Sequence, residues 1–324
     1  MSTLLLIDGN NLFHRAYHAL PPLTDKSGEN ANAVYGFSNM LLKAIDEVKP
    51  TYIACAFDTK APTFRHIEFE KYKAQRPAPP ADLYPQLPKV KRVLEAFGIP
   101  YFEKEGYEAD DLLATIATRA IFAGPATPKN SISVVILSGD RDVLQLVNGD
   151  IKVQMPGWNL NGTTLYGAAE VREKFGIEPV QMVDYKSLVG DTSDNVPGIA
   201  GIGPKIASSL LSKYQTLENL FEHIDEQGET VKAKLTAGRD IALSAKRLVE
   251  LDCNVNLDLK FENLEFKPDW ETVRAEYVRL GFKSIVSKLP GIVNSSQLTV
   301  DSNDKKSVNR KPSTDNNTDQ LKLI

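Results

Sequence analysis

The sequence predicts an α/β domain built on a parallel sheet, followed by a smaller all-α domain. Three observations predict it. Buried-strand runs alternate with helical patterns through the first half, the strand pattern fades after about Gly176, and 324 residues with 42% hydrophobic positions suffice for about two domains. The strand runs are Thr3 to Ile7, Thr51 to Phe57 and Ile132 to Ser138, and the helical patterns between them are Ala33 to Val48, Pro85 to Phe97 and Glu108 to Phe122. Asp82, Pro85 and the spacing of Leu87, Val90, Val93, Leu94 and Phe97 support the second of these helices, which Gly98-Ile-Pro100 ends. Ala61 to Pro80 breaks the alternation. Pro62, Pro77, Pro79 and Pro80 forbid a long helix there, and Phe64, Phe69 and Tyr72 lie among basic residues, as in a long excursion above the sheet.

The second half reads as short helices: Pro179 to Val189, Lys205 to Tyr214, Leu217 to Phe221, Thr230 to Leu235, Arg239 to Leu251 and Trp270 to Leu280. From about Ser295 the chain turns to Ser, Asn, Asp, Lys and Thr, too polar to bury a core. The expected organisation is therefore 1–175, 176–294 and a disordered polar tail or linker over 295–324. Cys55 and Cys253 form no CxxC pair, and with four scattered histidines they complete no zinc spacing, which excludes a disulfide framework. His14, His18, His66 and His223 suit packing and hydrogen bonding. Apolar runs fall far short of the ~20 residues of a membrane helix and no basic n-region precedes the first, so no membrane is expected and the default compartment is the cytoplasm. The net charge of -4 argues weakly against a nucleic-acid partner, but eight basic residues against three acidic ones between Lys60 and Arg92 make that segment a candidate polyanion surface.

Three strand runs each lead into an aspartate: Asp8 after Leu4 to Ile7, Asp58 after Ile53 to Phe57, and Asp140 after Val134 to Gly139. In an open parallel sheet the carboxyl ends of the strands share one edge, where such folds place ligands, so these acids should converge. Carboxylates within ~4 to 6 Å of one another raise each other's pKa, and a hard cation such as Mg²⁺ or Mn²⁺ compensates them. More acids cluster at helix starts and turns, in Glu108-Ala-Asp110-Asp111, Asp140-Arg-Asp142 and Gly190-Asp191-Thr-Ser-Asp194. Each motif alone could be a helix cap or turn. Nine acids together exceed one ion's needs and suit two or more ions in phosphodiester hydrolysis. No GxxxxGK[ST] loop, GxSxG elbow or strand-following GxGxxG competes.

Gly198-Ile-Ala-Gly201-Ile-Gly203-Pro-Lys205 sets three glycines before a helix opened by Pro204. Such a loop can turn backbone N–H groups and a helix N-terminus toward a phosphate, with Lys205 reinforcing it; a tight interhelical turn is the alternative. The spacing is that of a helix-hairpin-helix module, which grips DNA backbones without reading sequence.

With these motifs the chain resembles, over about residues 3 to 290, the 5'-nuclease domain found at the N-terminus of bacterial DNA polymerase I, within the flap endonuclease and 5'-3' exonuclease superfamily. The marks are Leu6-Ile-Asp8-Gly-Asn-Asn11, Ala56-Phe-Asp58, Phe64-Arg65-His, Tyr72-Lys73-Ala-Gln-Arg76, the acidic motifs above and the glycine hairpin. The resemblance implies a PIN-like α/β nuclease domain with a helical arch over about 60–92, then a helical helix-hairpin-helix domain. It implies that Asp8, Asp58, Glu108, Asp110 and Asp111 hold the tighter metal region, and that Asp140, Asp142, Asp191 and Asp194 complete a second. Lys73 and Arg76 match arch positions that steer the scissile phosphate and stabilise its developing charge. Arg15 and Arg65 are candidates for the 5' strand, or else ion-pair partners; Tyr72 and Phe64 could stack on bases or pack the arch. A potassium ion at the hairpin is a further expectation. Pro204 stands where an acidic or polar residue is common, and no acidic motif position is lost.

The implied activity is Mg²⁺-dependent, structure-specific 5'-3' exonuclease and 5'-flap endonuclease chemistry, with Mn²⁺ able to substitute. The substrates are DNA with 5' flaps, nicks or 5' ends and RNA-primed junctions in replication and repair, in the cytoplasm at the nucleoid, with a polymerase domain as a possible continuation. The alternatives are a PIN-type ribonuclease and a non-catalytic DNA-junction binding module.

Overall fold

A computed structural model describes residues 2–123, 132–157 and 162–291. In chain order the first half contains β1 (Ser2–Asp8), α1 (Gly9–Ala19), α2 (Asn32–Val48), β2 (Tyr52–Ala56), α3 (Phe64–Glu68), α4 (Leu87–Ala96), β3 (Tyr101–Phe102) and α5 (Ala109–Ala123). It continues through β4 (Ile132–Leu137), β5 (Ile151–Pro156), β6 (Thr163–Tyr166) and α6 (Ala168–Phe175). The strands form one sheet in the order β3-β2-β1-β4-β5-β6. All neighbours are parallel except β5 and β6.

The run Leu4-Leu-Leu-Ile7 is fully buried because it is covered on both faces, as central parallel strands are. Side chains alternate across a strand, so Leu4 and Leu6 join a core with Leu112, Leu113 and Ile116 of α5. Leu5 and Ile7 join a second core with Phe13, Phe37, Leu41 and Leu94 of α1, α2 and α4. With β2 and β3 added on one side of β1 and β4 and β5 on the other, the strand order reverses at β1, which opens a crevice at the carboxyl end of that strand. Gly9 lets α1 start there. A Cβ on it would lie 2.4 Å from the Phe57 ring.

The helical region consists of α7 (Met182–Val189), α8 (Pro204–Tyr214), α9 (Leu217–Glu222), α10 (Glu229–Val249), α11 (Trp270–Leu280) and α12 (Lys283–Val286). Its core is continuous with that of the sheet: Val143, Ile199 and Leu210 belong to one apolar cluster, and everything up to Leu289 forms one compact unit. The sequence divides α10 into two patterns, but it is one helix of 21 residues. The interruption is Gly238, which packs beneath Ile199, where a Cβ would meet that side chain at 2.6 Å. The segment between β2 and α4 is built of the five-residue α3, a run of turns, an irregular proline stretch and a 3-10 turn at Tyr84–Gln86. The polar tail expected over 295–324 lies outside the described residues. Among the described residues no helix is long and apolar enough to cross a membrane.

Candidate active site

Asp8 closes β1, and its Oδ1 caps α1 by accepting from Asn11 N at 2.9 Å, while Oδ2 accepts from Ser138 Oγ at 2.6 Å. Asp58, just past β2, accepts from Asn10 Nδ2 and from Ala109 N, each at 2.7 Å. The start of α5 is thereby drawn to the strand ends, and it brings Asp110, whose buried Oδ1 has no hydrogen-bond partner. These three acids receive neutral donors or none. Burial pushes Asp8 up to about 7, with the charges of Asp58 and Asp140 adding to the effect. Burial likewise raises Asp58 and Asp110, the latter also through Asp8, Asp140 and Asp58.

The remaining acids are differently supplied. Asp191 Oδ2 accepts from Lys186 Nζ at 2.7 Å, and the same ammonium contacts Asp142. Burial alone would raise Asp191, but the Lys186 charge and donors from Lys186 and Ser193 hold it at about 2. Asp194 accepts from Arg76 Nη2 at 2.6 Å and from Tyr72 Oη at 3.0 Å. Glu108 accepts from Lys73 Nζ at 2.8 Å. Lys73 adopts φ 54°, an uncommon backbone state for a residue with a side chain, and its N–H donates to Asp194 O at 2.9 Å. Burial works against the Lys73 charge, but Glu108 and Asp194 keep it protonated.

Asp8, Asp58, Glu108, Asp110 and Asp140 line one cavity of about 690 Å³ together with Lys73, Arg76 and Arg15. Asp142, Asp191 and Asp194 adjoin it without lining it. Arg15 spends Nη2 on the carbonyls of Pro156 and Gly157, at 2.8 and 2.6 Å. Phe64 packs edge-on against Tyr107.

Three expectations are corrected by geometry. Asp111 is fully buried, gives both oxygens to Arg65 at 2.7 and 2.8 Å and does not line the cavity of the other acids, so it is an ion-pair partner. Arg65 is itself 1% exposed and also donates to Leu248 O and Glu250 O, so it fastens α3 and α5 to the end of α10 and does not reach a DNA strand. Tyr72, 3% exposed, donates to Glu108 and Asp194 and has no free face for a base.

In the glycine hairpin, Gly198 serves close packing: a Cβ there would sit 2.2 Å from the Val189 carbonyl carbon. Gly201, at φ 78°, faces Lys234 of α10, whose Nζ donates to Gly201 O at 3.2 Å, so a potassium ion at that carbonyl would have to compete with an ammonium. Gly203 precedes α8 with open space around it, and Lys205 is exposed beside it.

The sequence reading missed Lys186, Lys234, and the His14 and Tyr84 wall of the cavity, where His14 Nε2 and Tyr84 Oη lie 3.3 Å apart. The only signal for Lys186 is its place five residues before Asp191 on a helix leading into the acidic loop.

Among the described residues no three His, Cys, Asp or Glu side chains are already drawn up as a metal cage. The donors nevertheless fit a hard divalent cation. They are all oxygens, one of them buried and unpartnered, and burial and neighbouring carboxylates raise its pKa, a shift that a bound cation would reverse.

Residues 3–176 match the 5'-3' exonuclease, N-terminal resolvase-like domain, and residues 177–272 match the 5'-3' exonuclease, C-terminal SAM fold. The chain is 38% identical to the 5'-3' exonuclease of Aquifex aeolicus, over 90% of this chain and 96% of that protein. It is 40% identical to DNA polymerase I of Caldicellulosiruptor bescii over 88% of this chain but spans only 33% of that protein's length. Solved structures of similar fold include T5 5'-exonuclease with bound zinc, with a TM-score of 0.61, 18% identity and coverage of 88% of this chain and 96% of that one. The catalytic core of Rad2 in complex with DNA substrate has a TM-score of 0.55 and 16% identity, over 88% of this chain and 92% of that one. Two consecutive domain matches and a relative aligned almost end to end place this chain in the 5'-3' exonuclease family of nucleases.

Proposed function

We propose that the chain is a Mg²⁺-dependent, structure-specific nuclease that removes 5' flaps and RNA primers at DNA junctions in the cytoplasm. The observation that carries this reading is that Asp8, Asp58, Asp110 and Asp140 line one cavity together with Lys73 and Arg76. Asp8, Asp58, Glu108 and Asp110 would hold one divalent ion, and Asp140, Asp142, Asp191 and Asp194 a second, with Mn²⁺ as a substitute. Ions bound there supply Lewis acidity and charge neutralisation for phosphodiester hydrolysis.

The chain's own groups do the positioning. Lys73 and Arg76, now spent on Glu108 and Asp194, exchange those carboxylates for the scissile phosphate and stabilise its developing charge. Arg15 lines the approach for the 5' strand. Gly201, Gly203 and Lys205 hold the duplex backbone at the amino end of α8, which reads no sequence.

The test is incubation with a 5'-labelled double-flap DNA, with Mg²⁺ or with chelator, read on a denaturing gel. Metal-dependent cleavage near the junction is expected. Preferential cleavage of RNA without a junction would support a ribonuclease, and binding without cleavage in saturating Mg²⁺ a junction-binding module.

A further inference from the structure

Lys186 projects from α7 into the acidic set, where its side chain is 11% exposed. It contacts Asp142, from the turn after β4, and donates to Asp191 at 2.7 Å, from the loop after α7. Two separate loops therefore close on one ammonium. An isolated charge buried to this degree is strongly unfavourable, so Lys186 and the two carboxylates depend on one another. At the strand ends the situation is opposite: Asp8 and Asp58 accept only from hydroxyl, amide and backbone groups, and Asp110 Oδ1 accepts from nothing.

We infer that Lys186 is a built-in counter-ion for Asp142 and Asp191, standing where a second divalent ion would bind, and that this ion binds by displacing the ammonium. The inference rests on the metal-dependent reading above and adds a residue that governs how tightly the second ion is held. The exchange balances in charge and groups. A divalent ion enters, the Lys186 ammonium leaves intact on its four-carbon stem, and no proton need be lost. Lysine suits this better than arginine would, being a single charged group on a flexible chain rather than a planar fork fixed by paired bonds. Asp8, Asp58 and Asp110 accept no hydrogen bond from an ammonium, so the two positions differ in affinity before any substrate arrives.

The test is calorimetric titration of the full chain with Mn²⁺, comparing wild type with Lys186→Met, alongside thermal unfolding with and without the ion. Wild type is expected to show two binding events of unequal strength. Lys186→Met should tighten the weaker event by about tenfold, the equivalent of one ion pair of about 1.4 kcal/mol no longer broken, while the stronger event stays within about twofold. In chelator the variant should melt below wild type, because Asp142 and Asp191 lose their cation, and saturating Mn²⁺ should close that gap. If the variant does not fold without metal, recovery of its folded circular-dichroism signal on adding Mn²⁺ supports the inference and failure to recover overturns it. A weaker event that is unchanged or lost in a folded Lys186→Met chain also overturns it, leaving the metal-dependent reading intact. Absence of any ion binding by wild type would overturn both.

Discussion

The acids at the strand ends and the acids on the loops are the same residue type beside one cavity, yet Asp8 and Asp191 carry opposite electrostatics. Asp8 is pushed up to about 7 and Asp191 is held at about 2. Burial raises both, Asp8 more because it lies deeper, and the company the fold supplies widens the gap: Ser138 Oγ and Asn11 N for Asp8, the Lys186 ammonium for Asp191. Asp8, Asp58 and Asp110 accept from no cation, whereas Asp191 already does. Ion-binding capacity is therefore a property of what surrounds a carboxylate as much as of the carboxylate itself.

This contrast can be broken at its strongest point by Asp110→Asn. The change should lower the cleavage rate on flap DNA by about 10³-fold. In chelator it should raise the melting temperature, because a buried charge without a partner is removed. Retention of cleavage within tenfold would show that the strand-end acids are not the working half. Next in size is Arg65→Ala, which strands Asp111 as a buried unpaired carboxylate and should reduce stability in urea unfolding by about 3 to 5 kcal/mol. Calorimetry on the folded variant should still find both ion-binding events, since neither residue faces the cavity.

The pH dependence sharpens the same contrast. Asp8 has its folded pKa raised from 3.8 to about 7, so its carboxyl favours the folded chain below about pH 4 and that contribution disappears as pH rises to about 7. Asp191 has its folded pKa lowered to about 2, so its contribution is present above about pH 4 and is lost as pH falls toward 2. In chelator, stability should therefore decline between about pH 4 and 7, and saturating Mg²⁺ should remove that decline; a flat metal-free profile would contradict the strand-end picture. The smallest effect belongs to Lys205→Ala. It should weaken DNA binding equally across sequences and lower the log–log salt slope by about 0.9, one phosphate's worth, in a filter-binding series.

The sheet was legible because a central parallel strand must be apolar on both faces, and Leu4 to Ile7 and Ile53 to Phe57 leave no other reading. The convergence of Asp8, Asp58 and Asp140 followed from strand direction alone. Asp111 was misplaced because Asp110 and Asp111 are adjacent on a helix and so diverge by about 100°, and only packing decides which one faces the strands. Arg65 was left open between a DNA contact and an ion pair for a related reason: its partner is 46 residues away in the chain, and nothing local marks it as buried. The two short helices assigned across Gly238 are one, because the glycine answers to Ile199 rather than to helix propensity. Lys186 escaped notice since its role depends on two loops meeting, a long-range event without a motif.

Gly190 and Gly198 press backbone against backbone, and a Cβ on either would come within 2.5 Å or less of a main-chain atom of the other's strand of loop. One of these glycines introduces Asp191, and the other begins the hairpin that ends at α8. The contact thus fixes the spacing between the two loops. Under the proposed function, a strand held at Gly203 and Lys205 would meet the carboxylates at a set distance along its own length, and the point of scission would be measured out by the protein rather than chosen by the nucleotide sequence. Enlarging either glycine should blur that measurement, and the products would then differ in length by whole nucleotides.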